Sequence, residues 1–472
     1  MRFIIDFVYL LAAIGYSPIV IYRAVRHKRY RAGWAERFGK ISRVFPDKKC
    51  IWLHAVSVGE VNAAKTVIKE LQNKFPEFEI VISTTTDTGF ALADKMFGDN
   101  FKVFYFPFDF SWSMSRAFRN IRPAICLLME QEVWPNFVRI AKQSNIPVVV
   151  VNGRISDKGF ARYKKVKPLA RMIWQKVTLV LAQTDEYAQR FIKIGARPEN
   201  VIVTGSLKYD TAQITDKVEG ADILAAQLNI SRHCKPEQSE GAAISKPTDE
   251  TAPVAPLPRS DVIEDTRLWV VGATGPGEEK IILDVFKNLT ARQQFKDLRL
   301  VIVPRKPERF DEVAQLIEQA GFSLIRYSQI KNQATDKSSI ENRASSIGPV
   351  ILGDTMGDLR KFYSLSTIIF VGRSLVPMGG SDMMEAAALG KPTIFGPFSF
   401  NFRHTVEALL KDEGAVMVKD KEELFQTMQK CLDEPGFAQK IAQNGQEVIK
   451  KNQGATQKTI CQISALLNDR YI

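Results

Sequence analysis

Several carboxylates and cations in this 472-residue chain stand where they could do chemistry. Glu60 closes the run Ser57-Val58-Gly59-Glu60 at the expected start of a helix. A carboxylate so placed can take a proton from an alcohol, a service worth roughly 10²–10⁴-fold in rate. The competing reading is an acid that merely complements the helix dipole. Glu130 and Glu132 flank Gln131 just before Trp134-Pro135. Two carboxylates there repel unless a cation or a substrate hydroxyl is near. Lys208, after Ser206-Leu207, can stabilise negative charge or simply be a solvated lysine. Arg305, in PRKPERF (304–310), suits bidentate pairing with a phosphate, against the competing reading of a solvated charge run.

The segment MGGSDMMEAAALGKPTIFGP (378–397) is the most informative. Gly379 and Gly380 let backbone approach a ligand closely, and Ser381 or Asp382 can cap the helix expected over Met383–Leu389. The amides at that helix start suit a phosphate. Glu385, about one turn in, can accept both hydroxyls of a ribose. The alternative is a glycine turn before an ordinary capped helix. Met356-Gly357-Asp358 reads as a second glycine turn entering a helix, with Asp358 as a first-turn carboxylate.

These residues need elements to position them. Apolar, β-branched runs at 50–57, 79–85, 103–106, 123–129, 147–152, 178–183 and 201–205 alternate with amphipathic stretches such as 61–74, 87–97, 133–144 and 185–194. The pattern restarts at 268–273, 298–304, 349–353, 367–372 and 392–396. Continuous apolar strands separated by helices predict parallel sheets covered on both faces. Two such series predict an α/β protein of two Rossmann-like, doubly wound domains. Every candidate above follows a predicted strand, where open α/β sheets bind ligands. The expectation is therefore two sites facing a cleft. The reading divides the chain into an anchor and basic segment (1–30), an acceptor-binding domain (31–215), a linker with a low-complexity insertion (216–266), a nucleotide-binding domain (267–455) and a closing helix (456–472). That last helix is expected to brace the domains. Residues 231–265 and 330–346 are polar and aperiodic, and read as loops.

Composition narrows the function. A net charge of +13 favours anionic partners. Zinc-finger spacing, RNP motifs and long basic helices are lacking, which argues against nucleic acid. Five cysteines without CxxC spacing and four scattered histidines predict reduced thiols and no metal site. From Phe3 to Tyr22 the chain is apolar apart from Asp6, and Arg23, Arg26, Lys28, Arg29 and Arg31 follow. About twenty helical residues span a bilayer, and trailing basic residues stay on the cytoplasmic side. The reading is a membrane anchor that spans the bilayer or, because Asp6, Tyr9, Tyr16 and Pro18 weaken a span, lies in the interface or docks on the protein, with the remaining domains at the inner face.

Taken together, RAGWAERFG (31–39), LHAVSVGE (53–60), STTTDTG (83–89), MEQEVWPN (129–136), NGRIS (152–156), VTGSLKYD (203–210), VPRKPERF (303–310), GDTMGDL (353–359) and GGSDMMEAAALGKP (379–392) resemble the 3-deoxy-D-manno-octulosonate (Kdo) transferases of lipopolysaccharide synthesis. The resemblance implies a GT-B fold and inverting transfer of Kdo from CMP-Kdo to a lipid A precursor such as lipid IVA at the inner membrane, without cofactor or metal. It implies Glu60 as general base and Glu130 and Lys208 as assistants of the transition state. It also implies Pro304, Arg305, Met356, Gly357, Asp358, Asp382, Met383, Met384 and Glu385 as CMP contacts. The chain departs from the family at Asp382-Met383-Met384, more often Asn-Pro-Leu, and at Gln131, often Ser or Thr. The 231–265 insertion is longer than usual. A GT-B transferase using a UDP-sugar, an epimerase of similar architecture and a non-catalytic nucleotide-binding scaffold are the competing readings.

Overall fold

The computed structural model describes residues 2–27, 32–230, 266–331 and 350–471. The 231–265 insertion and nearly all of the 330–346 loop lie outside the described residues. The chain forms two compact units, Met1–Ala212 with Asn452–Ile472, and Gln213–Lys451.

In the first unit seven strands form one parallel sheet: β1 (Lys49–His54), β2 (Phe78–Thr84), β3 (Lys102–Tyr105), β4 (Ile125–Met129), β5 (Val148–Gly153), β6 (Leu179–Ala182) and β7 (Val201–Val203). Their order is β3-β2-β1-β4-β5-β6-β7, all neighbours parallel. Parallel strands need crossover connections, and the amphipathic stretches supply them as helices on both faces. Side chains therefore alternate between two cores. Cys50 and Trp52 of β1 join Phe104, Phe118 and Phe137 on one face. Ile51 and Leu53 join Val67 and Leu71 of the Val58–Lys74 helix on the other. The closing helix Ala455–Tyr471 adds Ile460, Ile463 and Leu467 to that second core. It is thus part of the first unit, although the chain from 204 to 454, 251 residues, separates it from β7.

The second unit repeats the plan with β8 (Leu268–Thr274), β9 (Arg299–Pro304), β10 (Leu324–Arg326), β11 (Val350–Leu352), β12 (Ile368–Val371), β13 (Thr393–Phe395) and β14 (Val416–Met417). The order is β10-β11-β9-β8-β12-β13-β14, again all parallel. Strand order reverses between β1 and β4 in one unit and between β8 and β12 in the other. Loops diverge at such points and leave a crevice at the carboxyl edge.

The spanning form of the N-terminal expectation finds no support. Residues Arg2–His27 form one helix with Pro18 inside it, but no helix among the described residues is long and apolar enough to cross a membrane. Asp6, the one charge of the apolar run, turns to the protein: its carboxylate accepts from the Ser111 amide (2.8 Å), the Ser111 hydroxyl and Asn136 Nδ2 (3.1 Å). One turn on, Tyr9 donates to Asp109 (3.0 Å), which also accepts the Asn136 and Phe137 amides. Both carboxylates sit at the N-termini of helices Ser111–Ile121 and Pro135–Gln143, so one face of the N-terminal helix is fastened to the unit. The other face leaves Phe3, Phe7, Leu11 and Ile14 exposed.

Candidate functional site

Each unit carries candidate residues around its own crevice. In the first, β1 runs out into Ser57, which precedes the Val58–Lys74 helix with Glu60 in its first turn. Glu60 Oε2 accepts from the Val56 amide (2.8 Å), and Oε1 from the Ser57 hydroxyl (2.9 Å). In an ordinary capping box the serine would serve a helix amide. Here it donates to the glutamate instead and holds it in place. Glu60 is only 8% exposed. Burial pushes its pKa up to about 7; the Val56 and Ser57 hydrogen bonds oppose that, and the charges of Glu130 and Glu132 add to it. A carboxylate poised near neutrality is matched to proton exchange at physiological pH.

Glu130 stands across the crevice, directly after β4. Its φ is +56°, unusual for a residue with a side chain, and its amide donates to Val151 O (2.9 Å). Burial raises its pKa, while Arg154 and Lys208 pull it down. Burial and Glu130 likewise raise Glu132. The like charges expected to repel at this strand end are thus met by two cations. Lys208 lies on the short helix Leu207–Thr211, whose first amide donates to Asn152 Oδ1 (3.1 Å). Asn152 is fully buried with φ +57°, and its Nδ2 has no partner among the described residues; nor has Gln131 Oε1. Asn152 and Arg154, both from NGRIS, were not singled out in the sequence. Their signal was the strand end they occupy.

In the second unit β8 ends in a bulge with Ala273 at φ +58°, and the Arg305 amide donates to Thr274 O (3.3 Å), which ties the β9 loop to the β8 loop. Pro304 closes β9 and Arg305 is exposed. Of the cations in PRKPERF, Arg309 is structural: it grips fully buried Glu279 through two nitrogens (2.6 and 3.2 Å) and also pairs with Glu312. Fully buried Glu278 accepts from the amides of Gly275, Arg373, Ser374 and Leu375, which welds the β8 loop to the β12 loop.

The glycine turns are where they were expected. Gly357 (φ +91°), Gly379 (+88°) and Gly380 (+79°) are all left-handed. A side chain on Gly379 would strike Asn401 at 2.1 Å. The helix beyond them differs from expectation. It covers only Met384–Ala388 with Met383 at its cap, because the Asp382 carboxylate accepts the Met384 amide (2.9 Å) and the Ser381 hydroxyl turns to Ala273 O (3.3 Å). One turn has little dipole, and Asp382 already occupies its amide end. Met383 and Met384 are buried. Glu385 is partly open with its pKa raised by burial, and Arg360 lies 4.0 Å away. Asp358 is not a spare ligand: Lys331 (2.6 Å), Lys361 (2.9 Å) and Thr355 (2.7 Å) hold its carboxylate down at about 2. Met356 is 67% exposed at the loop tip.

Residues 32–211 match the family described as 3-deoxy-D-manno-octulosonic-acid transferase (kdotransferase). A Haemophilus influenzae 3-deoxy-D-manno-octulosonic acid transferase is 31% identical over 93% of this chain and 92% of its own. This chain belongs to the Kdo transferase family. A Bordetella pertussis Kdo transferase is 27% identical over 96% of this chain and 97% of its own. Solved structures share the architecture at low identity. A glycosyltransferase from Rickettsia africae has TM-score 0.53 and 12% identity, covering 89% of this chain and 99% of that one. A UDP-GlcNAc 2-epimerase from Neisseria meningitidis has TM-score 0.52 and 14% identity, covering 88% and 100%. These show the fold alone: two parallel-sheet α/β domains resembling GT-B glycosyltransferases. The chain is a glycosyltransferase, and its Kdo transferase relatives match it over nearly its whole length.

Proposed function

We propose that this enzyme transfers Kdo from CMP-Kdo to a hydroxyl of a lipid A precursor of the lipid IVA type, inverting the anomeric centre without a metal. The observation that carries the reading is Glu60, a buried carboxylate poised near neutrality beside Glu130 and Glu132. Glu60 takes the proton of the acceptor hydroxyl as its oxygen attacks the anomeric carbon, and the bond to the CMP phosphate breaks. Glu130 and Lys208 assist at the oxocarbenium-like transition state. Pro304 and Arg305, Met356, Gly357 and Asp358, and Asp382, Met383, Met384 and Glu385 hold CMP. Because its carboxylate is taken by two lysines, Asp358 serves by fixing the Gly357 turn. Glu385 receives the ribose hydroxyls, and Arg305 meets the phosphate charge. The test is mass spectrometry of lipid IVA after incubation with CMP-Kdo, and in parallel with UDP-sugars. Addition of Kdo is expected; sugar added only from a UDP donor overturns the reading.

The enzyme works at the cytoplasmic face of the inner membrane, with the Arg2–His27 helix lying on phospholipid rather than crossing it. Support comes from the exposed apolar face of that helix and from rings on the first unit: Phe110 stacks on exposed Trp112, and Trp112 on Phe38. Amphipathic rings are at home in the headgroup layer. Flotation with anionic vesicles is expected to carry the full chain upward. Protein left at the bottom of the gradient removes this part.

A further inference from the structure

The β12 loop presents a guanidinium that the donor assignment above leaves idle. Arg373 stands two residues beyond β12, at the reversal of strand order between β8 and β12. Its φ is +60°, a conformation that suits glycine and strains other residues. Two features hold it there. Glu278 accepts the Arg373 amide and the two amides that follow. Arg373 Nη2 donates to Met378 O (3.1 Å), on the strand side of Gly379-Gly380.

The side chain passes over the β8 loop. A Cβ on Gly275 would lie 3.0 Å from Arg373 Cγ and 2.6 Å from Met378 Sδ, so only glycine leaves the path open. Next to Gly275 is Thr274, whose carbonyl holds the Arg305 amide and whose own hydroxyl is buried without a partner among the described residues. Arg373 Nε is likewise buried and unsatisfied. Burial lowers the Arg373 pKa and the charge of Arg305 lowers it further, against a smaller opposing pull from Glu278. Among the described residues no carboxylate lies within ion-pair distance of either guanidinium. Two cations sharing a crevice repel unless an anion comes between them.

We infer that Arg373 and Arg305 together form the anion cradle for the donor phosphate, with Arg373 as a donor-binding residue in its own right. This rests on the CMP-sugar donor proposed above, and adds a contact that assignment lacks. Strain at Arg373, glycine at 275 and the unsatisfied Thr274 hydroxyl then have one cause: the cradle is built to close around a phosphodiester. The short Met384–Ala388 helix, already capped by Asp382, is relieved of that task.

The experiment compares Arg373→Gly and Arg373→Lys with wild type. Glycine tolerates φ +60°, so the first removes the guanidinium while keeping the backbone; lysine keeps the charge and loses the planar fork. Binding of CMP and of cytidine is measured by calorimetry or competition, and KM and kcat with CMP-Kdo. Arg373→Gly is expected to weaken CMP about 10–100-fold, as loss of a charge-assisted contact does. It should leave cytidine unchanged and raise KM more than it lowers kcat, while Arg373→Lys recovers part of the CMP affinity. Unchanged CMP affinity in both variants overturns the inference, as does equal weakening of CMP and cytidine, which marks a merely structural role. Wild-type transfer from CMP-Kdo is scored separately. Transfer with unaltered CMP binding in the variants sinks the cradle alone; CMP binding that depends on Arg373 without any transfer from CMP-Kdo sinks the donor assignment alone.

Discussion

The two crevices sit at equivalent points of equivalent sheets, yet their electrostatics are opposite. Around β1 and β4 burial pushes the carboxylates of Glu60, Glu130 and Glu132 upward, and the charge of Glu130 adds to the push on the other two. Around β11 and β12 the carboxylate of Asp358 is sunk to about 2 by lysines, and Arg305 and Arg373 form no ion pair among the described residues. One crevice raises the proton affinity of its carboxylates; the other offers positive charge. Duplicated architecture with divergent loop chemistry suits a reaction that must both deprotonate an alcohol and carry away an anion.

The sharpest way to break this contrast is Glu60→Gln, which keeps the shape and removes the base. It should lower kcat roughly 10²–10⁴-fold and leave CMP affinity intact; a near-native kcat by single-turnover assay dismisses Glu60. Next in size, Arg305→Ala should raise KM for CMP-Kdo about 10–100-fold with a smaller loss in kcat, read from initial rates. The contrast also has a pH signature. With Glu60 at about 7, kcat/KM should climb as pH rises through 7, because the base must be ionised. Stability moves the other way: a carboxyl whose folded pKa is raised stabilises the fold most below its unfolded value near 4.5, and that contribution is lost as pH rises through about 7. Melting scans at pH 5 and pH 8 should show a fall that shrinks in Glu60→Gln. Smallest is Asp358→Asn. It should cost about 1–2 kcal/mol of stability at neutral pH, a loss that fades only as pH falls from about 4 toward 2, where wild-type Asp358 also protonates. Urea titrations at pH 7 and pH 3 check it.

The strands were legible because parallel strands buried on both faces are written as unbroken runs of Val, Ile and Leu, as in Val148–Val151. The short edge strands Leu324–Arg326 and Val416–Met417 escaped notice because an edge of two or three half-buried residues leaves no run to read. Glu60, Glu130 and Lys208 were legible from strand-end position, and the structure brings all three around one crevice. Arg373 was not, because its signal is a positive φ, and backbone torsion is invisible when the residue is not glycine. The spanning form of the anchor finds no support for a related reason. Apolar content counts residues without saying which way they face, and Asp6 and Tyr9 face the protein.

The closing helix has a consequence for how the enzyme is made. Its residues Ala455, Ile460, Ile463 and Leu467 complete a core whose remaining buried members were synthesised before the second unit began. Asp210 accepts the Gly454 and Thr456 amides at the return point, so the seam is stitched as well as packed. A ribosome therefore releases the last helix of the first unit only after the whole second unit has emerged. Until that moment the Val58–Lys74 helix that carries Glu60 lacks the partner that the closing helix supplies, and a chain stopped some twenty residues early leaves the first unit's core unfinished while the second unit is whole.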